Sequence, residues 1–438
     1  MSAGTATFLT WHSDLGIFLY RHAVYPIPPL SPITALFCGH FHRKGSKRTM
    51  STTQTTSLAT ARTLMLGFAD ATGLSAAENP PRRYLWTDAF AVCNFLELFR
   101  RTGEERFRRL AADLIDQVHR ILGRHRGDDH RTGWISGLGG REGALHPTCG
   151  GLRIGKPLAE RRPEEPLDER LEWDRDGQYY HYLTKWMHAL CQAGAVLGET
   201  AYIRWAVELA RAAHAAFVYR PSAGSRPRMY WKMSIDLARP LVFSMGHHDP
   251  LDGWITFNEL QAASARLRLS PGPALDEEIA ALSAMCRDMN WATGDPLGLG
   301  GLLADAYRVG QMTVRGEFAP GDLLEDLLTD SLRGLESFSA KNSLALPAAY
   351  RLAFREFGLS IGLKAAGKLR ALREEEPALL GTLNRHMETL LPYERLADAI
   401  EGFWLESVHQ KTSSWREHGD INGVMLATSL APDGFLAL

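Results

Sequence analysis

YLWTDAFAVCNFLELF (residues 84–99) and FRRLAADLIDQVHRIL (residues 107–122), joined by the turn Arg101-Thr102-Gly103-Glu104, decide how this chain folds. The first stretch places Leu85, Ala89, Val92, Leu96 and Phe99 at helical spacing, while Trp86, Phe90, Cys93 and Phe95 add apolar residues on its other faces. A helix of that kind requires burial nearly all round. The second stretch carries one apolar stripe (Phe107, Leu110, Ala111, Leu114, Ile115, Val118, Leu122) opposite Arg108, Arg109, Asp113, Asp116 and Gln117, so it keeps one wet side.

The same pair recurs downstream. YYHYLTKWMHALCQAGAVLG (179–198) is apolar on several faces and ends at Gly198-Glu199, and YIRWAVELARAAHAAF (202–217) follows with a single apolar stripe. A fully buried helix, a Gly-Glu turn and a half-wet partner form the unit that a double-walled ring is built from. Further helical stretches are predicted at 254–267, 276–289, 300–311, 323–338, 350–372, 377–391, 393–409 and 420–430, giving about six hairpins. The predicted fold is therefore all-α, an α/α toroid in a single domain over residues 50–438. Residues 1–49 differ in composition, mixing Pro26, Pro28, Pro29 and Pro32 with a basic cluster at His42–Arg48, and read as a disordered extension ahead of a second Met at position 50. The stretch 127–173, rich in Gly, Pro, Arg and Glu, is too long for a plain connection and is expected to cover one mouth of the ring.

Composition narrows the function. Basic and acidic residues number 49 and 50, so no broad field draws nucleic acid or anionic lipid. No run of about 18 apolar residues offers a membrane span. Five scattered cysteines without a CxxC pair fit reduced thiols in a cytoplasmic protein, with Cys93 and Cys191 as small core residues. No GxSxG and no GxxxxGK[ST] occurs, which removes the serine-hydrolase and phosphate-loop readings.

The two Gly-Glu hairpins, the aromatic-rich inner helices and the acids at inner-helix starts resemble the six-hairpin glycosidase superfamily, the (α/α)6 toroids of glycoside hydrolases and sugar epimerases. The resemblance runs from about Tyr84 onward and is architectural, since no family-specific catalytic motif matches. It implies a carbohydrate-active cavity and a small-molecule or oligosaccharide substrate.

In a toroid the inner-helix starts converge on one rim, and four stretches there combine acids with aromatics. They are Tyr84–Asp88 with Trp86 and Asp88; Trp173–Trp186 with Asp174, Asp176, Tyr179, Tyr180, His181, Lys185 and Trp186; Gly246–Trp254 with His247, His248, Asp249, Asp252 and Trp254; and Ser413–Asp420 with Trp415, Glu417, His418 and Asp420. Glycoside cleavage needs two carboxyl groups about 5 Å or about 6.5–9.5 Å apart, according to mechanism. Asp174, Asp176, Glu417 and Asp420 are the expected catalytic carboxylates, and Trp86, Asp88, Tyr179, Tyr180, His181, Lys185, Trp186, His247, His248, Trp254 and Trp415 the expected sugar contacts. Asp176 and Asp252 are also helix-cap candidates, and Asp88 a candidate for a buried ion pair. Adjacent His247 and His248 rarely address one ion, so no metal and no cofactor is expected. The leading reading is a glycoside hydrolase. Its rivals are a sugar epimerase or lyase, a toroid that binds a glycan or a protein without catalysis, and a toroidal terpene- or lipid-handling enzyme. A chain starting at Met50 is expected to melt at the same temperature as the full chain by calorimetry, and a clear drop would show that residues 1–49 belong to the folded domain.

Overall fold

The computed structural model describes residues 52–75, 80–269 and 274–438, so the expectations about residues 1–49 lie outside the described residues. Twelve helices of eleven residues or more occur among them. Numbered in chain order they are α1 (Thr52–Ala71), α2 (Leu85–Thr102), α3 (Glu105–Leu122), α4 (Tyr180–Leu197), α5 (Thr200–Phe217), α6 (Asp249–Arg266), α7 (Asp276–Cys286), α8 (Pro296–Val314), α9 (Leu323–Ala340), α10 (Ala353–Glu375), α11 (Arg395–Leu405) and α12 (Gly419–Leu430).

The even-numbered helices form the inner ring. α2 packs on α4, α4 on α6, α6 on α8, α8 on α10, α10 on α12, and α12 returns to α2. α3, α5, α7, α9 and α11 lie outside α2, α4, α6, α8 and α10 respectively. The burial follows the sequence pattern: in α2 every residue from Leu85 to Leu98 is buried, whereas in α3 the buried set is Phe107, Ala111, Leu114, Ile115, Val118, His119 and Leu122. Both Gly-Glu turns begin at a left-handed glycine, Gly103 at φ 69° and Gly198 at φ 73°, a conformation that costs a side-chain-bearing residue more than glycine. Residues 57–438 form one unit.

Three parts of the chain depart from the sequence reading. The helix expected over 377–391 is broken into the short pieces Pro377–Leu380 and Asn384–Leu390 with 3-10 turns after each, and the outer place against α10 goes to α11 instead. The last expected hairpin, 393–409 with 420–430, places the buried helix first; in the structure α11 is outer and α12 inner. The place outside the closing junction falls to α1, where Asn94 of α2 reaches both the Met65 Sδ of α1 (3.4 Å) and the Val424 carbonyl of α12 (3.1 Å). Five short strands were also unforeseen. β1 (Gln178–Tyr179), β4 (Lys232–Met233) and β5 (Pro240–Val242) make one antiparallel sheet in that spatial order, and β2 (Val218–Tyr219) pairs with β3 (Arg228–Met229). Each strand is two or three residues long, too short to show a period of two in the sequence.

The inner helices run parallel, as contacts between their starts show. Tyr84 and Tyr182 meet through their hydroxyls at 2.5 Å, Lys185 pairs with Asp252, Asp295 with Arg355, and the Phe354 N–H donates to Asn422. At the opposite end the segment Asp433–Leu438 crosses the ring. The side-chain amides of Gln192 and Gln311 donate to the carbonyls of Ala437 and Leu436, and Phe435 stacks on Phe90 at 4.5 Å. The toroid is thus a cup, floored by this segment and rimmed by the helix starts.

The tightest inner contact is between α8 and α10. A Cβ on Gly300 would lie 2.0 Å from the Gly358 carbonyl oxygen, and one on Gly362 2.4 Å from that of Gly300. Backbone meets backbone there, with no flexible side chain to give way. Gly300→Ala is expected to cost about 1–3 kcal/mol of overpacking, read as a lower urea midpoint with unchanged helical circular dichroism; an unchanged midpoint would show that the two helices have room to separate.

Candidate active site

Polar residues recur at helical spacing on otherwise apolar inner helices: His181, Thr184, Lys185 and His188 on α4; Asp249, Asp252, Thr256 and Glu259 on α6; Asp305 and Arg308 on α8. The fold brings these three stripes together. His188 Nδ1 lies 2.8 Å from Glu259 Oε1, and its Nε2 lies 2.8 Å from the Phe435 carbonyl. Both partners offer acceptor oxygens, so the ring is held between α6 and the segment that floors the cup. Arg308 donates to Glu259, to Asp305 (2.9 Å) and to Thr256 (3.1 Å), and stands 3.6 Å from Asp252. Burial would raise the Glu259 carboxyl, but His188 and Arg308 outweigh it and hold it at about 2. Toward the rim, Lys185 pairs with Asp252 at 2.7 Å and Thr184 donates to the other oxygen of that carboxylate. Lys185 and Arg308 overcome burial and lower Asp252 as well.

Asp249, one turn earlier, escapes this pairing. It is 5 % exposed, its Oδ2 has no hydrogen-bond partner among the described residues, and it sits against Gly246, where a Cβ would come within 2.4 Å of that oxygen. Burial, reinforced by the neighbouring Asp252 charge, pushes its carboxyl up to about 8. The nearest base is His181, whose Nδ1 lies 3.7 Å from Asp249 Oδ1 and is likewise unpartnered. Burial lowers the His181 ring to about 4, so it is neutral at pH 7. A protonated carboxyl therefore faces a neutral imidazole. Lys185, with 20 % of its side chain exposed, and His181, with 23 %, are the reachable members of the group.

An aromatic wall rises beside them. His181 stacks on Tyr179 at 5.4 Å and on Trp231 at 6.3 Å, and meets Tyr182 edge-on at 4.8 Å; Trp173 packs against Trp231 at 4.9 Å. Trp231 belongs to the connection between α5 and α6, outside the four stretches singled out in the sequence. Its placement comes from β4 pairing with β1, a contact between residues far apart in the chain.

The carboxylates expected to be catalytic are not gathered together. Asp176 is fully buried. One oxygen takes Arg153 (2.7 Å) and Arg126 (3.3 Å), and the other takes the backbone N–H groups of Gly155, Lys156 and Gly177. It ties the long rim segment to the start of α4 and caps no helix, since the N-cap position of α4 is Tyr179, which makes no side-chain cap. Asp174 is exposed, close enough to Lys156 and Tyr84 to act on their charge, and Lys156 lies 5.5 Å over the Tyr84 ring. That contact brings the segment 127–173 onto the cup's open rim. Glu417 is exposed, and Asp420 stands 3.4 Å from Arg82 at the start of α12.

Of the expected sugar contacts, His181, Lys185, His248 and Tyr179 lie in or beside the cluster; the His248 Nε2 is spoken for by the Trp291 carbonyl at 2.9 Å. Others pack between the walls. The Trp186 indole N–H donates to His119 of α3, Tyr180 meets Phe217 of α5, and Trp86 lies on Phe90. Asp88 accepts from the Tyr84 backbone N–H and faces Arg83, though burial still lifts it to about 6. Trp415 packs on Trp404. Trp254 and the buried Trp291 line a cavity of about 540 Å³ beside α7 and α9, as do Asp322, Asp326 and Asp330; His247 meets Trp291 edge-on at 6.1 Å.

No protein-family profile matches the chain, and no curated protein does. Among solved structures it is similar to a cellobiose 2-epimerase from Spirochaeta thermophila, at 12% identity and TM-score 0.41 over 76% of this chain and 85% of that one. It is also similar to a sugar epimerase from a ruminal bacterium, at 8% identity and TM-score 0.42 over 77% and 86%. The ring described above rests on the packing of this chain's own helices. No helix among the described residues is long and apolar enough to cross a membrane.

Replacing Arg308 by Met leaves Glu259, Asp305 and Asp252 without their shared cation. The expected cost is about 3–5 kcal/mol, measured by urea unfolding at pH 7; a loss below about 1 kcal/mol would mean that water or rearrangement satisfies the carboxylates.

Proposed function

We propose that the chain is a carbohydrate-active enzyme that moves a proton on a sugar, an isomerase or epimerase working through an enediolate. The observation that carries this reading is the facing of protonated Asp249 and neutral His181 at 3.7 Å beneath an aromatic wall. Aromatic rings offer flat apolar surfaces to a sugar face. Proton transfer at the carbon beside an open-chain carbonyl needs one group to take a proton and one to give it. His181 is the acceptor, Asp249 the donor, and Lys185 a cation near where oxygen gains negative charge.

Hydrolysis requires a second, ionised carboxylate free to address the sugar or a water. Within the cluster Asp252 is held by Lys185, Thr184 and Arg308, and Glu259 by His188 and Arg308. A hydrolase would have to draw its second carboxylate from the rim, where Asp174 and Glu417 are exposed. The two readings separate in heavy water. Incubation with a panel of free aldoses and ketoses should exchange the hydrogen beside the carbonyl for deuterium, followed by NMR. Release of reducing ends from glycosides without any such exchange would replace this reading by the hydrolase.

The pH response follows from Asp249. The folded protein holds its proton to about pH 8, whereas the ordinary value is 3.8. The unfolded chain therefore gives up that proton first, and stability falls as pH rises between those values. Activity should fall as pH rises through about 8, where the donor is lost. Asp249→Asn should lower kcat by about 10²–10⁴-fold while raising the melting temperature at pH 8, with the gain shrinking toward pH 4. A variant that loses stability at pH 8 and keeps its turnover would show Asp249 to be structural.

A further inference from the structure

Outside the ring, where the rim segment crosses α5, three donors of different kinds converge. His146 and Cys149 stand on the turn that follows the short helix Gly140–Leu145, and Glu208 projects from α5. One ligand atom from each lies within 4.8 Å of the others. We propose that His146, Cys149 and Glu208 bind one divalent transition ion of the zinc class, which fastens the rim segment to the outer wall.

The donor set selects the class of ion. Nitrogen, sulfur and carboxylate oxygen together suit a borderline-soft cation, whereas magnesium and calcium take oxygen ligands. The surroundings hold the ligands in place. Thr148 donates to the Trp205 carbonyl at 2.8 Å and lies 3.4 Å from Glu208 Oε2, and the Trp205 indole N–H donates to the Leu145 carbonyl at 2.8 Å. His146 presents Nδ1 to Glu208 at 2.6 Å while its Nε2 stands 3.5 Å from Glu142 Oε1. With Nδ1 on the ion, the Nε2–H points at a carboxylate, the arrangement that fixes a ligating imidazole. Ligand atoms on a tetrahedral zinc are roughly 3.3–3.6 Å apart for bonds of about 2.0–2.3 Å. The His146–Glu208 contact must therefore widen by less than about 1 Å, within reach of a rotation of the half-buried Glu208. Cys149 is exposed, which gives the ion and a water in the fourth position a path in. On binding, the Cys149 thiol loses its proton to solvent and the sulfur forms the bond to the metal, so one proton is released and no electron is exchanged. The two negative ligands then balance the ion's charge.

The test is a cobalt(II) titration of the full chain after removal of metal by a chelator. Expected are tetrahedral d–d bands and a thiolate-to-cobalt charge-transfer band that saturate at one equivalent and vanish on adding zinc, with zinc raising the melting temperature. Cys149→Ser should abolish the charge-transfer band with circular dichroism unchanged, and Thr148→Val should weaken binding by about 10–100-fold. Cys38, near His40 and His42 in the sequence, is the rival source of thiolate, and Cys38→Ser should leave the band intact. The absence of any cobalt spectrum, a band that survives Cys149→Ser, or a band lost in Cys38→Ser would each overturn the proposal.

Discussion

Charges buried in a medium of low polarity must be paired, and the inner ring is organised around that constraint. Arg308 is the common partner. It stands among Glu259, Asp305 and Asp252, and through them His188 and Lys185 are drawn into one network spanning α4, α6 and α8. Removing any one member leaves another charge without compensation, which is why such a network sets the register of three helices even where its net contribution to stability is small. The His188 bond to the Phe435 carbonyl extends it to the segment that floors the cup.

Asp249 matters because the network stops short of it. The cations lie toward Asp252 and Glu259, so Asp249 meets burial and a neighbouring negative charge instead, and keeps its proton. Two carboxyl groups one turn apart on α6 thus take opposite states from their surroundings, the pattern expected where one group is to donate a proton. The environment that keeps this proton also makes the folded chain less stable as pH rises from 3.8 toward about 8.

The rim is held by a second buried hub. Asp176 satisfies two guanidinium groups and three backbone N–H groups, drawing together Arg126, Arg153 and the turn at Gly155. Lys232 does the same from β4, donating to Glu172 and to the Arg175 carbonyl while lying over the Tyr179 ring. These contacts set Trp173, Trp231 and Tyr179 beside His181. A loop without regular structure is tied down here because its polar groups are satisfied internally.

The ring was legible in the sequence because it follows from local period. A helix apolar all round next to a helix apolar on one stripe states its own burial, and the glycines after the first two buried helices, Gly103 and Gly198, state where those end. The polar stripes within those helices, His181-Lys185-His188 and Asp252-Thr256-Glu259, were missed as stripes in the sequence, although polar residues at i, i+4 and i+7 on otherwise apolar helices are the signal that shows them. Density of acids and aromatics near the helix starts was a poorer guide, since it put Asp174 and Asp176 forward as catalytic and gave Asp249 no role. What separates those three is which cations and backbone amides reach each carboxyl, and these come from residues as distant as Arg126, Arg153 and Lys185. Sequence by itself determined most of the helices, the inner or outer character of the first hairpins and the class of fold, because burial of an apolar face depends on spacing along one element. Only the tertiary structure decided which carboxyl keeps a proton, because that depends on charges which the folded chain alone brings within a few ångströms.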